Sequence, residues 1–103
     1  MAVTKKIDTY QVMYSSNRFV PRIWLQGDGT GIGQLVFMEN GSTLPPDYET
    51  PTGSYSLHYH LDDYPHLLDL LRNEAPVYLF YQSPSGENAI KTTTEMVGEE
   101  EGG

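Results

Sequence analysis

The chain has 103 residues, 14 acids against 6 bases for a formal net charge of −8, and no cysteine. That length gives one domain with a sizeable core, and the missing cysteine excludes a disulfide framework, a thiolate metal site and a cysteine nucleophile. Setting aside Glu99, Glu100 and Glu101 of the terminal GEEEGG leaves a net charge of −5, so duplex DNA and anionic membranes are poor partners, because phosphate recognition needs clustered Lys and Arg.

Residues 1–6 read as a short arm with Lys5 and Lys6 and no signal-peptide apolar stretch behind them. No run reaches the roughly 18 apolar residues of a membrane span, and the expectation is a soluble, cytoplasmic protein. Residues 7–14 alternate as a strand with Tyr10, Val12 and Tyr14 on one face. Ser15-Ser16-Asn17 turns the chain into a second strand at 20–26, with Ile23 and Leu25 on one side and Arg22, Trp24 and Gln26 on the other. The glycine run 27–31 leads into a third strand, 33–38, apolar on both faces. Asn40-Gly41 is the signature of a tight hairpin turn, and Pro45 and Pro46 keep any returning strand short. Residues 45–53 read as a proline-rich loop. Residues 53–61 alternate most cleanly, with Tyr55, Leu57, Tyr59 and Leu61 inward and Ser54, Ser56, His58 and His60 toward solvent.

One helix follows, capped by Asp62 or Asp63, with Pro65 in its first turn and Pro76 at its end. Its apolar stripe is Tyr64, Leu67, Leu68, Leu71 and Ala75. Residues 77–82 read as a central strand, 89–97 as the last strand and 98–103 as an acidic disordered tail. The class is therefore α+β, a mainly antiparallel curved sheet of about six strands with one amphipathic helix, in the order β-β-β-(β)-β-α-β-β over a single domain, 1–97.

His58, His60 and His66 fall close together, with Asp62 and Asp63 between them. Imidazoles at i, i+2 with nearby carboxylates suit zinc, nickel or iron, and the same pattern suits the polar face of a half-buried strand entering a capped helix. If the chain holds a divalent metal, these three residues are its candidate ligands. The run Gly27-Asp28-Gly29-Thr30-Gly31-Ile32-Gly33 fails as a dinucleotide fingerprint, because the sixth position from Gly27 is Ile32 and a strand follows. No G-x-S-x-G elbow and no serine–histidine–acid set is present, so a catalytic role finds no residues. Trp24, on the polar face of its strand, and Tyr59 are the candidate ligand-binding aromatics.

Several antiparallel strands followed by one helix, over residues 7–75, resemble the ββββα unit of Whirly-type single-stranded-DNA-binding regulators. The resemblance lies in element order. It implies pairing of units, and no residue of this chain matches the lysine-rich binding segment of that family. Strands 33–38 and 77–82 are apolar on both faces while one helix covers about one face of three strands, so the sheet must close on itself or meet a second subunit. The expectation is a homodimeric, non-catalytic binding or regulatory module. A small-ligand or metal-binding protein using the three histidines and a single-stranded nucleic-acid binder are the alternatives.

Overall fold

Strand alternation starts earlier than the expected arm. In the computed structural model, which describes residues 2–16 and 19–94, β1 (Val3–Ile7) and β2 (Thr9–Met13) are separated only by Asp8 and lie in different sheets. Asp8 is thus a corner at which one extended run leaves one sheet for the other. It is fixed there by its own N–H, which donates to the Gln26 carbonyl at 2.7 Å, and by its carboxylate, which accepts from the Asp28 N–H at 2.8 Å.

β3 (Arg22–Gly27) and β4 (Thr30–Met38) form the hairpin that the glycine run encodes. Asp28 and Gly29 have φ values of 58° and 79°, the positive pair that a two-residue turn matched to strand twist requires. A bulge follows: Leu25 faces Gly33 and Gln26 faces Gly31, so Ile32 is the extra residue and is buried.

The Asn40-Gly41 turn forms, with the Ser42 N–H on the Glu39 carbonyl at 3.1 Å and Gly41 at φ 83°, but it makes no hairpin. The chain instead crosses to the far edge as the two-residue β5 (Tyr48–Glu49), and β6 (Tyr55–His60) returns parallel to β4. Pro45 and Pro46 lack the N–H that a returning strand needs. Asn40 is engaged elsewhere: its side chain accepts from the Asp62 N–H at 2.9 Å and donates to the Asp62 carboxylate at 3.0 Å. Asn40, from a distant turn, therefore supplies the polar partner at the start of the helical segment. Neither Asp62 nor Asp63 makes the expected side-chain cap.

After one 3₁₀ turn (Leu61–Asp63), α1 (Tyr64–Asn73) buries Leu67 and partly buries Tyr64, Leu68, Leu70 and Leu71, whereas Ala75 lies beyond it and is exposed. β7 (Val77–Tyr81) and β8 (Ala89–Thr92) complete the described fold. The expected end of the last strand at 95–97 and the acidic tail lie outside the described residues.

Two sheets result: β1-β7-β8, and β2-β3-β4-β6-β5, antiparallel throughout except for β4 with β6. The class is α+β as expected, with β4 and β7 central in their sheets. The second apolar layer is supplied from within the chain, because the three-stranded sheet packs over the inner face of the five-stranded one. Ile7, Val77, Leu79, Tyr81 and Ile90 meet Ile23, Leu25, Leu35, Phe37 and Leu57 in one core, with the Tyr55 and Tyr81 rings 4.7 Å apart. At Gly33 there is no room for a side chain: an added Cβ would stand 2.5 Å from the carbonyl oxygen of Tyr55 on the neighbouring strand and 2.8 Å from Leu79 Cδ1 of the facing sheet. The expected uncovered apolar face is therefore covered from within the chain, and this core does not demand a second subunit.

Candidate functional site

The outer face of the five-stranded sheet carries its polar residues in cross-strand rows. Register sets Gln11 opposite Trp24, Trp24 opposite Gln34, and Gln34 opposite Ser56. The Trp24 indole N–H donates to Gln34 Oε1 at 3.3 Å, and Gln34 Nε2 donates to the fully buried Ser56 hydroxyl at 3.3 Å. One amide thus fixes the indole ring and ties it to the sheet beneath.

Beside Trp24 lies an open groove of about 400 Å³ whose lining combines this half-buried indole, the amides of Gln26 and Gln34 and the hydroxyls of Thr50, Thr52 and Ser54. The hydroxyl side is ordered by short contacts. Thr50 Oγ1 lies 3.0 Å from Thr52 Oγ1 and 2.8 Å from Ser54 Oγ, and the Ser54 N–H donates to Thr50 Oγ1 at 3.2 Å. Among the described residues, no carboxylate, ammonium, guanidinium or imidazole lines the groove. In so acidic a chain that neutrality sets it apart. Two larger open depressions, about 620 and 600 Å³, flank the Asp8 corner. The first sets Lys6 and Arg72 among Asp8 and Glu74, charges of both signs at a solvated seam.

The histidines lie elsewhere on the same sheet. His58 was expected to face solvent, yet its side chain is only 8 % exposed, because residues 39–54 fold over that part of the face. Asp47 Oδ1 accepts from the His58 N–H at 2.8 Å and lies 3.2 Å from its Nδ1, while Asp47 Oδ2 accepts from Asn88 Nδ2 at 2.8 Å. Asn88 Oδ1 in turn accepts from the Gln82 N–H at 2.7 Å. Asp47 therefore closes the edge of β6 that the two-residue β5 leaves unpaired and links it to the turn between β7 and β8. His60 Nε2 lies 2.7 Å from the Ser42 carbonyl oxygen, and His66 is exposed on the first turn of α1. Among the described residues, no group of three or more His, Asp or Glu side chains is placed to hold a metal ion. The three histidines are close in sequence, but His58 and His60 are engaged with different partners and His66 stands exposed on α1.

Tyr59 does not join Trp24. It lies on the inner face opposite Phe37, with ring centroids 6.0 Å apart. Burial, with smaller contributions from the Asp47 and Asp63 charges, pushes its hydroxyl up to about 12 against a lowering backbone hydrogen bond at Ile90. Gln34 escapes the sequence reading, because strand 33–38 reads as apolar on both faces; its lone amide is the signal available. Asp47 and Asn88 gave no signal, since each sits in loop sequence that reads as solvated turn.

Comparison with protein-family models, with curated proteins and with solved structures finds no match to this chain. Among the described residues no helix is long and apolar enough to cross a membrane.

Proposed function

We propose that the chain is a non-catalytic binding module, acting as a homodimer, that takes an uncharged polar ligand on the Trp24 face. The observation that carries this reading is the pairing of an amide-fixed indole with a groove of amides and hydroxyls free of ionic side chains. An indole offers a flat apolar surface on which a ring or sugar face stacks, and fixed amides and hydroxyls orient the polar rim of such a ligand. General acid–base chemistry needs a group that titrates near the working pH, and the groove lining has none. The cysteine-free composition supports a cytoplasmic setting.

The alternatives have less support. A single-stranded nucleic acid brings phosphates, and among the described residues no Lys or Arg lines the groove. A metal at His58, His60 and His66 would have to displace the hydrogen bonds that the first two already make. The element order shared with Whirly-type units supports pairing of chains and supplies no ligand residue.

The test is a ligand-observed NMR screen of neutral sugars, polyols, nucleosides and amides, run on the wild-type protein and on Trp24→Ala. The expected outcome is a set of neutral binders lost in the variant. Binders that all survive Trp24→Ala, or a screen in which only charged compounds bind, contradicts the reading.

A further inference from the structure

The two sheets have four edges, and three of them carry the features that keep edges from pairing. β1 presents Lys5 and Lys6, β8 presents Lys91, and β5 is two residues long, contains Glu49 and is flanked by Pro45, Pro46 and Pro51. Charge, proline and shortness are the usual means of blocking edge-to-edge association. β2 has none of them. From Thr9 to Ser16 the sequence TYQVMYSS holds no charge, no proline and no glycine, and among the described residues β2 pairs with β3 alone.

The backbone groups on its open side follow from the hydrogen-bond pattern. The Phe37 N–H bonds the Pro21 carbonyl, and Arg22 faces Val36 in the β3–β4 register. Residues 21 and 23 therefore direct their backbone groups toward β4, while 22, 24 and 26 direct theirs toward β2. The Asp8 N–H on the Gln26 carbonyl agrees with that parity. Their register partners Met13, Gln11 and Thr9 are thus satisfied by β3, and Tyr10, Val12 and Tyr14 direct theirs outward. These same three residues belong to one side-chain face, and Val12 and Tyr14 are 39 % and 65 % exposed, with Phe19 58 % exposed where the chain approaches β3.

We infer that the open edge of β2 pairs antiparallel with β2 of a second copy, on a dyad at Val12, joining the two five-stranded sheets into one. The inference rests on the homodimeric reading above and names its surface. With the dyad there, Tyr10 faces Tyr14 of the second copy and Val12 faces Val12, so every outward N–H and C=O from 10 to 14 meets its complement. A copy of this chain is the fitting occupant on charge, since an uncharged seam lets two proteins of net charge −8 meet without setting like charges against each other. Tyr14 and Phe19 would together cover about 250 Å² per copy, about a third of the roughly 800 Å² per partner of a stable interface. The paired strands and the side chains of Gln11 and Met13 supply more. Gln11 stands beside Trp24 in the outer-face row, so pairing also places both Trp24 faces on one continuous surface.

The experiment is native mass spectrometry of the full chain, its Val12→Lys variant and its Val12→Cys variant under oxidation, with Ser85→Cys as the exposed control. Val12 is exposed enough for either change to leave the monomer folded, which the Trp24 emission and circular dichroism check. The expected result is a wild-type dimer, weakened on the order of 100-fold by Val12→Lys. Val12→Cys should give a covalent dimer, since dyad Cα atoms about 5.5 Å apart suit a disulfide; Ser85→Cys should give none. A wild-type dimer that survives Val12→Lys and yields no Val12→Cys cross-link overturns the β2 interface and leaves the homodimeric reading standing. A wild-type monomer at high concentration overturns both.

Discussion

Asp47 holds two sheets together through one carboxylate, and its removal should cost more than its place in a loop suggests. Asp47→Ala takes the acceptor from the His58 N–H and Nδ1 and one of two acceptors from Asn88 Nδ2, which retains the Ser83 carbonyl at 2.9 Å. A stranded, largely buried N–H costs roughly 1–3 kcal/mol and each hydrogen bond to a charged group about 1.5–3 kcal/mol. Because Asp47 itself is 21 % exposed, water recovers part of this, and a loss of about 3 kcal/mol is expected. For a chain of this size that corresponds to a fall in Tm of roughly 15 °C. Asp47→Asn keeps an acceptor for His58 but turns an N–H₂ toward the Asn88 N–H₂, so it should lose about half as much. Thermal and urea unfolding followed by circular dichroism give the order wild type, Asn, Ala. A distinct readout accompanies it: the Asp47 charge helps raise Tyr59, so the Tyr59 hydroxyl should titrate earlier in Asp47→Ala. A Tm within two or so degrees of wild type for Asp47→Ala, or equal losses for both variants, would refute the assignment of Asp47 as the tie.

Three further outcomes follow from the packing and the tyrosines. Gly33→Ala places a methyl 2.5 Å from the Tyr55 carbonyl oxygen of the neighbouring strand, which cannot swing aside as a side chain can, and should cost about 2–3 kcal/mol in urea unfolding; an unchanged midpoint contradicts the tight packing at Gly33. Asn40→Ala removes both bonds to Asp62 and should cost about 1 kcal/mol, like loss of a helix cap, whereas no change in Tm means that residues 61–63 need no partner. At alkaline pH, Tyr59 keeps its proton in the native state up to about 12 while the unfolded chain releases it from 10, so stability present below pH 10 is lost between pH 10 and 12. Tyr59 contributes on the order of 2–3 kcal/mol to that loss. Tyr55, Tyr64 and Tyr81, all raised chiefly by burial, add to it in the same direction. Urea midpoints measured from pH 9 to 12 should fall more shallowly in Tyr59→Phe, and identical slopes contradict the burial of this hydroxyl.

Local pattern carried the sequence reading wherever one face of an element is buried and the other is not. The β3–β4 turn, the centrality of β4 and β7 and the helix at 64–73 were all legible because Asp28-Gly29, the two-faced apolar runs and the Leu stripe depend on nearest neighbours. The failures share a different cause. Val3 and Lys5 read as an arm because half of β1 is charged, and only its pairing with β7 makes it a strand. Ser56 and His58 read as solvent-facing because alternation cannot show that residues 39–54 fold over them. Asn40-Gly41 does turn, yet whether the chain returns antiparallel is decided by Asn40 reaching Asp62, a contact between distant residues. The Trp24 groove has the same character. Trp24 stands out as a polar-face residue, whereas Gln34 lies in a strand that reads as apolar on both faces, and the Thr50, Thr52 and Ser54 wall opposite them is brought there by the crossover alone.

Trp24 is the single tryptophan of the chain, so its indole N–H gives one isolated resonance in a proton–nitrogen correlation spectrum. Titrating the best neutral binder from the screen while following that resonance tests the Trp24 face directly. The account requires a saturable shift of the indole signal, accompanied by the side-chain amides of Gln34 and Gln26. A neutral binder that saturates the protein and leaves all three unmoved would contradict it.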